Sequence, residues 1–507
     1  MNLDNETKKK EIVKYLLSQH VLVKPELLVT LSQPEQVENY YQQVIQGVSA
    51  SQILQRSPGQ EVAMAVSSPG AQLQAVAQPP TASPDSYVSK VKVVFQYQDK
   101  PRKLSPQDFV NYFNARYKAI ERMLHHRSEL QNLTSIGRLN NKKDRETVSF
   151  IGIVADKQTT KNDNIALVLE DPSGRIKVIV SKSKPETYEM AKDIVPDEVI
   201  GLTGSTGNNV VFANNIVIPD IPLTGELKKS PEEAYVVVLS CVHVGSKLFL
   251  KESFDKFIRW LRGETGNDEQ REIASKVGYV IVAGDIIDGV GIYPNQEKEL
   301  EILDIYEQYN EAARLLSQIP QNIAVIICPG NHDAGRISEP QPPLSKNYAK
   351  ALYGLPNAIM LGNPCIINIH SSETFPGFDV LVYHGYSFDD YGEIVPSIKN
   401  SGKTISDRTT LIMKFLLQRR HLAPTHSSTL YIPDPEKDPL VLEKVPDIFI
   451  GGHIHKSNAA SYRGVSIISG SCFQSKTPFQ EKMGHEPDPG RVPLINLQTR
   501  TVKMLRF

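Results

Sequence analysis

The chain has 507 residues, more than one hydrophobic core accommodates, so about two to four domains are expected. Hydrophobic residues make up 40% and charged residues 22%, values of a globular, soluble protein, and no apolar run approaches the ~18 residues of a membrane-spanning helix. With 56 Lys and Arg against 57 Asp and Glu the net charge is −1, which excludes bulk electrostatic attraction to nucleic acid; any DNA contact must come from a local patch.

The first residues, MNLDNETKKKEIVKYLL, carry charge but no apolar stretch followed by a small-residue cleavage site, so no secretory signal is read and a cytoplasmic location is expected. Residues 1–55 place Ile12, Tyr15, Leu16, Leu27, Leu28 and Leu31 at helical spacing, with Pro25 and Pro34 where helices can begin, which predicts a small helical module. Residues 56–86 are rich in Pro, Ser, Gln, Ala and Gly and nearly uncharged, the composition of a flexible linker. Residues 87–145 predict a strand at Val88–Tyr97 and an amphipathic helix at Pro106–Leu130, with Phe109, Tyr112, Phe113, Tyr117 and Ile120 on its apolar side. The stretch 86–145 holds 13 Lys and Arg against 5 Asp and Glu, which reads equally as a DNA-facing patch or a solvated face. No individual residue is assigned to DNA contact.

Five short strands follow, at Val148–Val154, Ile165–Glu170, Arg175–Val180, Val199–Gly204 and Val210–Ile218, with turn residues between them. Five strands in about 75 residues suit an OB-type barrel over 146–222. Few aromatics lie on them, so single-stranded nucleic acid and a protein partner are equally good occupants. Residues 232–507 alternate apolar strands with helices, as in a layered α/β domain. The four cysteines, Cys241, Cys328, Cys365 and Cys472, form no C-x-x-C pair and read as free thiols in a reducing compartment.

In this last region polar residues recur just after buried strands. YVVVLS precedes Cys241-Val242-His243, YVIVAG precedes Asp285, and IAVIICPG precedes Asn331-His332-Asp333; DVLVY precedes His384 and DIFIGG precedes His453-Ile454-His455. Taken singly, each has a bland reading: a capped strand end, an Asx-type turn or a satisfied core histidine. Taken together they put imidazole, carboxylate and amide groups at one sheet rim, where open α/β domains place their sites. These groups suit two divalent cations roughly 3.5–4 Å apart, a pair able to clamp a phosphodiester and activate water.

The order D-x-H, G-D, G-N-H-D, H, G-H-x-H resembles the calcineurin-like metallophosphoesterase superfamily. That resemblance implies that His243 and His455 hold a first metal, that Asp285 bridges, and that Asn331, His384 and His453 hold a second. It also implies that His332 stabilises the transition state or protonates the leaving oxygen, and that Asp333 orients His332 or supports its loop. The flanks Cys241–Leu250, Pro329–Leu344 and Gly470–Leu497 are similar to the small subunits of archaeal family D DNA polymerases, which also carry an OB barrel before the phosphoesterase domain. This narrower resemblance implies a large catalytic subunit and DNA as partners, no membrane, and a 3′-to-5′ exonuclease-type site using manganese or magnesium.

One position departs from the pattern, since Cys241 stands where the superfamily has Asp. It reads either as a lost ligand or as a thiolate ligand that favours zinc. Two functions follow, an accessory polymerase subunit with a nuclease site and a scaffold with a vestigial one; a free-standing phosphatase fits the flanks less well. Limited proteolysis of the purified chain is expected to cut first between Ser57 and Asp85, with mass spectrometry of the early fragments as the check.

Overall fold

The computed structural model describes residues 8, 12, 34–45, 87–99, 102–139, 142–223, 227–404 and 406–507. The chain divides into two units, Met1–Ala77 and Gln78–Phe507. In the first, helix Pro34–Ile45 buries Val37 and Tyr40, and Lys8 pairs with Glu38 at 2.5 Å. The rest of the expected helical module and the whole linker 56–86 lie outside the described residues. Among the described residues no helix is long and apolar enough to cross a membrane.

The second unit begins with β1 (Lys92–Gln96). A barrel follows, made of β2 (Thr147–Thr159), β3 (Ile165–Asp171), β4 (Gly174–Val180), β5 (Val199–Gly207) and β6 (Val210–Val217). It closes in the order β2-β3-β4-β6-β5, β5 returning antiparallel to β2. Alternate residues such as Val148, Phe150, Leu167, Leu169, Val178 and Val211 point inward and fill it, the side-chain period of two that a strand imposes.

The remaining strands are β7 (Tyr235–Leu239), β8 (Val277–Ala283), β9 (Ala324–Cys328), β10 (Ala358–Met360), β11 (Cys365–Ile369), β12 (Phe378–Val382), β13 (Ile448–Gly451), β14 (Asn458–Tyr462), β15 (Val465–Ser469), β16 (Arg491–Asn496) and β17 (Val502–Arg506). Together with β1 they form two six-stranded sheets, β10-β9-β8-β7-β16-β17 and β1-β11-β12-β13-β15-β14. β7 to β10 run parallel, as do β12, β13 and β15. β7, β8, β9, β12 and β13 are buried along their whole length, as strands covered on both faces must be.

The alternation of side chains shows what covers them. Val236 and Val238 of β7 face Val380, Val382, Ile448 and Ile450 of the other sheet, while Tyr235, Val237 and Leu239 face helices Lys251–Leu261 and Ile305–Leu316. The second sheet turns Leu381, Phe449 and Ile467 outward onto Phe388, Tyr391, Met413 and Leu416. The architecture is therefore helix, sheet, sheet, helix, a mixed α/β fold into whose chain the closed barrel is inserted after β1.

The segment 87–145 is divided among its neighbours. Its expected strand Val88–Tyr97 begins instead as a turn of 3-10 helix, Tyr87–Lys90, which brings the Tyr87 ring edge-on to Tyr279 at 5.2 Å over Gly278; only β1 is extended, and it pairs with β11. The expected helix ends at Leu124 rather than Leu130, because turns at Arg127 and Leu130 reverse the chain and the Arg127 guanidinium donates to the Asp220 carbonyl. Phe109, expected on the apolar side, lies at the rim of that helix and meets the His426 ring edge-on.

Helix Pro106–Leu124 lies between barrel and layers. Tyr117, Ile120 and Leu124 pack on Ile151, Ile153, Val199 and Val217 of the barrel. Arg116, fully buried, donates Nε to Asp438 Oδ2 at 2.7 Å and further bonds to the Pro424 and Asp197 carbonyls; Tyr112 and His421 also reach Asp438, each at 2.8 Å. One of the basic residues of this segment is thus a core group. Arg116→Met leaves the Asp438 carboxylate without its guanidinium and is expected to cost about 3–5 kcal/mol, read as a lowered denaturant midpoint.

Candidate metal centre

The chain ends of β7, β8 and β9 in one sheet and of β12 and β13 in the other open onto a cleft of about 780 Å³. Cys241, His243, Asp285, His453 and His455 all hold left-handed backbone, with φ of 50°, 55°, 53°, 67° and 57°. Non-glycine residues seldom adopt this conformation, and such strain persists where surrounding structure fixes it, most often at functional sites.

The side chains converge. The Nε2 atoms of His243 and His455 face each other at 3.0 Å, and Asp285 Oδ2 lies 4.0 Å from His243 Nε2 and 3.2 Å from His384 Nε2. Asn331 Oδ1 is 2.9 Å from His384 Nε2, and the His453 ring centroid is 5.2 Å from that of His384. Cys241 Sγ accepts the His453 backbone N–H at 3.3 Å. Donor atoms of Cys241, His243 and His455 lie within 4.8 Å of one another, as do those of Cys241, Asp285 and His384, and those of His243, Asp288 and His332. Gly330 permits the closest approach, since a Cβ there would sit 2.2 Å from Asp285 Oδ1.

Charge is distributed unevenly among these groups. Burial opposes ionisation of Asp285, but the surrounding His384, His332 and His243 hold its carboxyl well below the usual range. Burial, and then the charge of Asp285, pushes the Cys241 thiol far up. The same two causes raise Asp333 to about 7.

Of the predicted residues, Cys241, His243, Asp285, Asn331, His384, His453 and His455 come together, and His332 joins them: its N–H donates to Asp285 Oδ1 at 2.8 Å and its ring meets His243 edge-on at 4.7 Å. Asp333 does not face the cleft. It accepts the N–H groups of Gly330, Ile286 and Ile287, tying the β8 and β9 loops together, and it makes no contact with the His332 ring, whose Nδ1 meets the Asp288 carbonyl at 2.8 Å.

Three polar neighbours escaped the reading of strand ends. Asp288 Oδ1 is 3.0 Å from His243 Nδ1, an ion-pair distance without hydrogen-bond geometry. Asp389 Oδ2 is 3.1 Å from His453 Nε2, and Gln480 Nε2 is 2.8 Å from His455 Nδ1. Asp288 was findable three residues beyond Asp285; Asp389 and Gln480 sit on short helices, where polar residues are commonplace.

Comparison with known proteins gives the lineage. The B-subunit family of DNA polymerases alpha and epsilon matches residues 236–459. The DNA polymerase II small subunit of Methanothermobacter thermautotrophicus is 40% identical over 400 residues, 79% of this chain and 79% of that protein. This chain belongs to the DNA polymerase II small-subunit family. Other members include the Archaeoglobus fulgidus protein, 38% identical over 79% of this chain and 77% of its own length, and the Pyrococcus furiosus protein, 39% identical over 79% of this chain. The match spans 63% of the Pyrococcus protein, under two thirds of it.

Behind the cleft, Glu339 is buried and pushed up to about 7 by burial, with the Tyr383 hydroxyl 2.9 Å from Oε2 and Asn363 beside Oε1; Asn363 in turn accepts the His384 N–H at 2.9 Å. The folded chain holds this proton more tightly than the unfolded one, whose carboxyl titrates near 4.5. Its contribution to stability is therefore complete below about pH 4.5 and is lost as pH rises to about 7. Glu339→Gln is expected to flatten that slope, as measured by urea midpoints at pH 5 and pH 7.5.

Proposed function

We propose that the chain is an accessory small subunit of a heteromeric replicative DNA polymerase, working with a large catalytic subunit on DNA in the cytoplasm. In this reading it carries a two-metal, 3′-to-5′ exonuclease-type phosphodiesterase site. The observation that carries the enzymatic part is Asp285, a buried carboxylate between two sets of imidazole donors at the rim of two sheets. The layered domain is read as calcineurin-like, and the barrel as OB-type from its closed strand order. Direction of cutting and the large partner rest on the family.

The donor set fits divalent cations. Two buried Nε2 atoms 3.0 Å apart are placed to share a proton or a divalent cation, and His384 Nδ1 on the Ala283 carbonyl leaves Nε2 for the cleft, the outer contact typical of metal-bound histidines. By this reading His243, His455, Asp285 and Cys241 hold one ion, and Asp285, Asn331, His384 and His453 the other. Bound ions of this kind clamp a phosphodiester and lower the pKa of attacking water. His332, anchored through Nδ1, keeps Nε2 to deliver a proton to the leaving oxygen. Asp333 positions the loops that carry Asp285 and Asn331.

A second reading, a scaffold whose site no longer turns over, draws on Cys241, a fully buried thiol held protonated and hydrogen-bonded to backbone. The two are separated by experiment. Wild-type chain, assayed by metal analysis and manganese-dependent nuclease activity, is expected to bind manganese weakly at the Cys241 position and to cut slowly, since a thiol prefers softer metals. Cys241→Asp is expected to raise activity by roughly tenfold or more. His332→Ala on that background abolishes the gain with metal content intact. Both ions bound in Cys241→Asp with no cutting favours the scaffold.

A further inference from the structure

Phe479 leaves a large apolar ring 63% exposed at the lining of the cleft, where Leu430, Tyr386 and Ile292 also contribute surface. Its helix, Pro478–Met483, is pinned: Gln480 Oε1 accepts the Thr477 N–H at 3.1 Å, Thr477 Oγ1 accepts the Gln480 N–H at 3.2 Å, and Gln480 Nε2 is 2.8 Å from His455 Nδ1. The exposed ring is thus the immediate neighbour of the residue that touches a candidate metal ligand, on a helix that cannot turn freely.

The charges of the same walls decide what the ring can receive. Asp285, Asp288, Asp389, Asp390 and Glu393 line the cleft, and among the described residues no Lys or Arg does. Such walls repel a run of phosphates, so an extended backbone finds no electrostatic track within. A single phosphodiester neutralised by cations can enter, and what remains to hold its nucleotide is apolar surface. A volume of about 780 Å³ lies within the range of pockets for small ligands and is narrow for a duplex. Bases expose a π face only when unpaired and unstacked, and exposed aromatic rings bind such faces without regard to sequence.

We propose that Phe479 is the stacking platform for the base of the unpaired terminal nucleotide whose phosphodiester enters the metal centre. This rests on the phosphodiesterase reading and adds the substrate feature that the site selects, an unstacked end. The test uses the full chain and a single-stranded oligonucleotide with 2-aminopurine at its 3′ end, titrated in calcium so that fluorescence reports stacking without requiring turnover. Quenching is expected with wild type, lost in Phe479→Ala and restored in Phe479→Trp.

Hydrolysis supplies the second arm. In manganese, Phe479→Ala is expected to lose about tenfold or more in kcat/KM on the oligonucleotide beyond any loss on the same oligonucleotide ending in an abasic nucleotide, which offers no aromatic face at that position. Equal losses on both substrates, or wild-type quenching that survives Phe479→Ala, overturns the stacking role. Wild-type quenching abolished by Phe479→Ala without hydrolysis of either substrate upholds the platform and removes the phosphodiesterase reading. Hydrolysis without quenching does the reverse.

Discussion

The apolar layer between the two six-stranded sheets is the constraint on which the site depends. Cys241, His243, Asp285 and Asn331 leave the ends of β7, β8 and β9, whereas His384, His453 and His455 leave β12 and β13. The two halves meet only because Val236, Val238, Tyr279 and Ile281 interdigitate with Val380, Val382, Ile448 and Ile450. Close-packed interiors tolerate little change in volume, so the thickness of this layer sets how far Asp285 stands from His384. A smaller residue there, remote from the chemistry, acts on the site through spacing.

Within that frame the local backbone does the fine placement. Five of the converging residues are left-handed, a conformation that surrounding contacts must hold. Asp333 and Gln308 show how the strain is held: the Asp333 carboxylate gathers amides from both loops, and Gln308 Oε1 accepts the Gly289 N–H at 2.9 Å just beyond Asp288. Neither touches the cleft contents. Both are part of why Asp285 is presented at all.

Much of this was legible in the sequence. Four barrel strands are legible to within three residues and β2 only to within five, its far end running on to Thr159, because alternation with turn residues between is a local signal, and the polar residues after β7, β8, β9, β12 and β13 mark the rim because strand ends are stiff. What escaped was non-local. Val88–Tyr97 has strand composition throughout, yet Tyr87 is half-buried against the core beside Tyr279, and the chain there takes a 3-10 turn. Asp389 and Gln480 contact His453 and His455 from helices far along the chain. Arg116 read as one more charge of a basic segment, because nothing near it in sequence announces Asp438.

That last contact governs how the molecule can be divided. One helix gives its Tyr117 side to the barrel and its Arg116 side to the layered domain, while β1, which precedes it, completes an edge of a sheet whose next strand comes some 270 residues later in the chain. A fragment starting after the barrel therefore lacks an outer strand and exposes the Asp438 pocket, and a fragment ending before the layers leaves Arg116 in water. The barrel is inserted into the layered domain's chain rather than appended to it, so the natural module boundary lies before Tyr87.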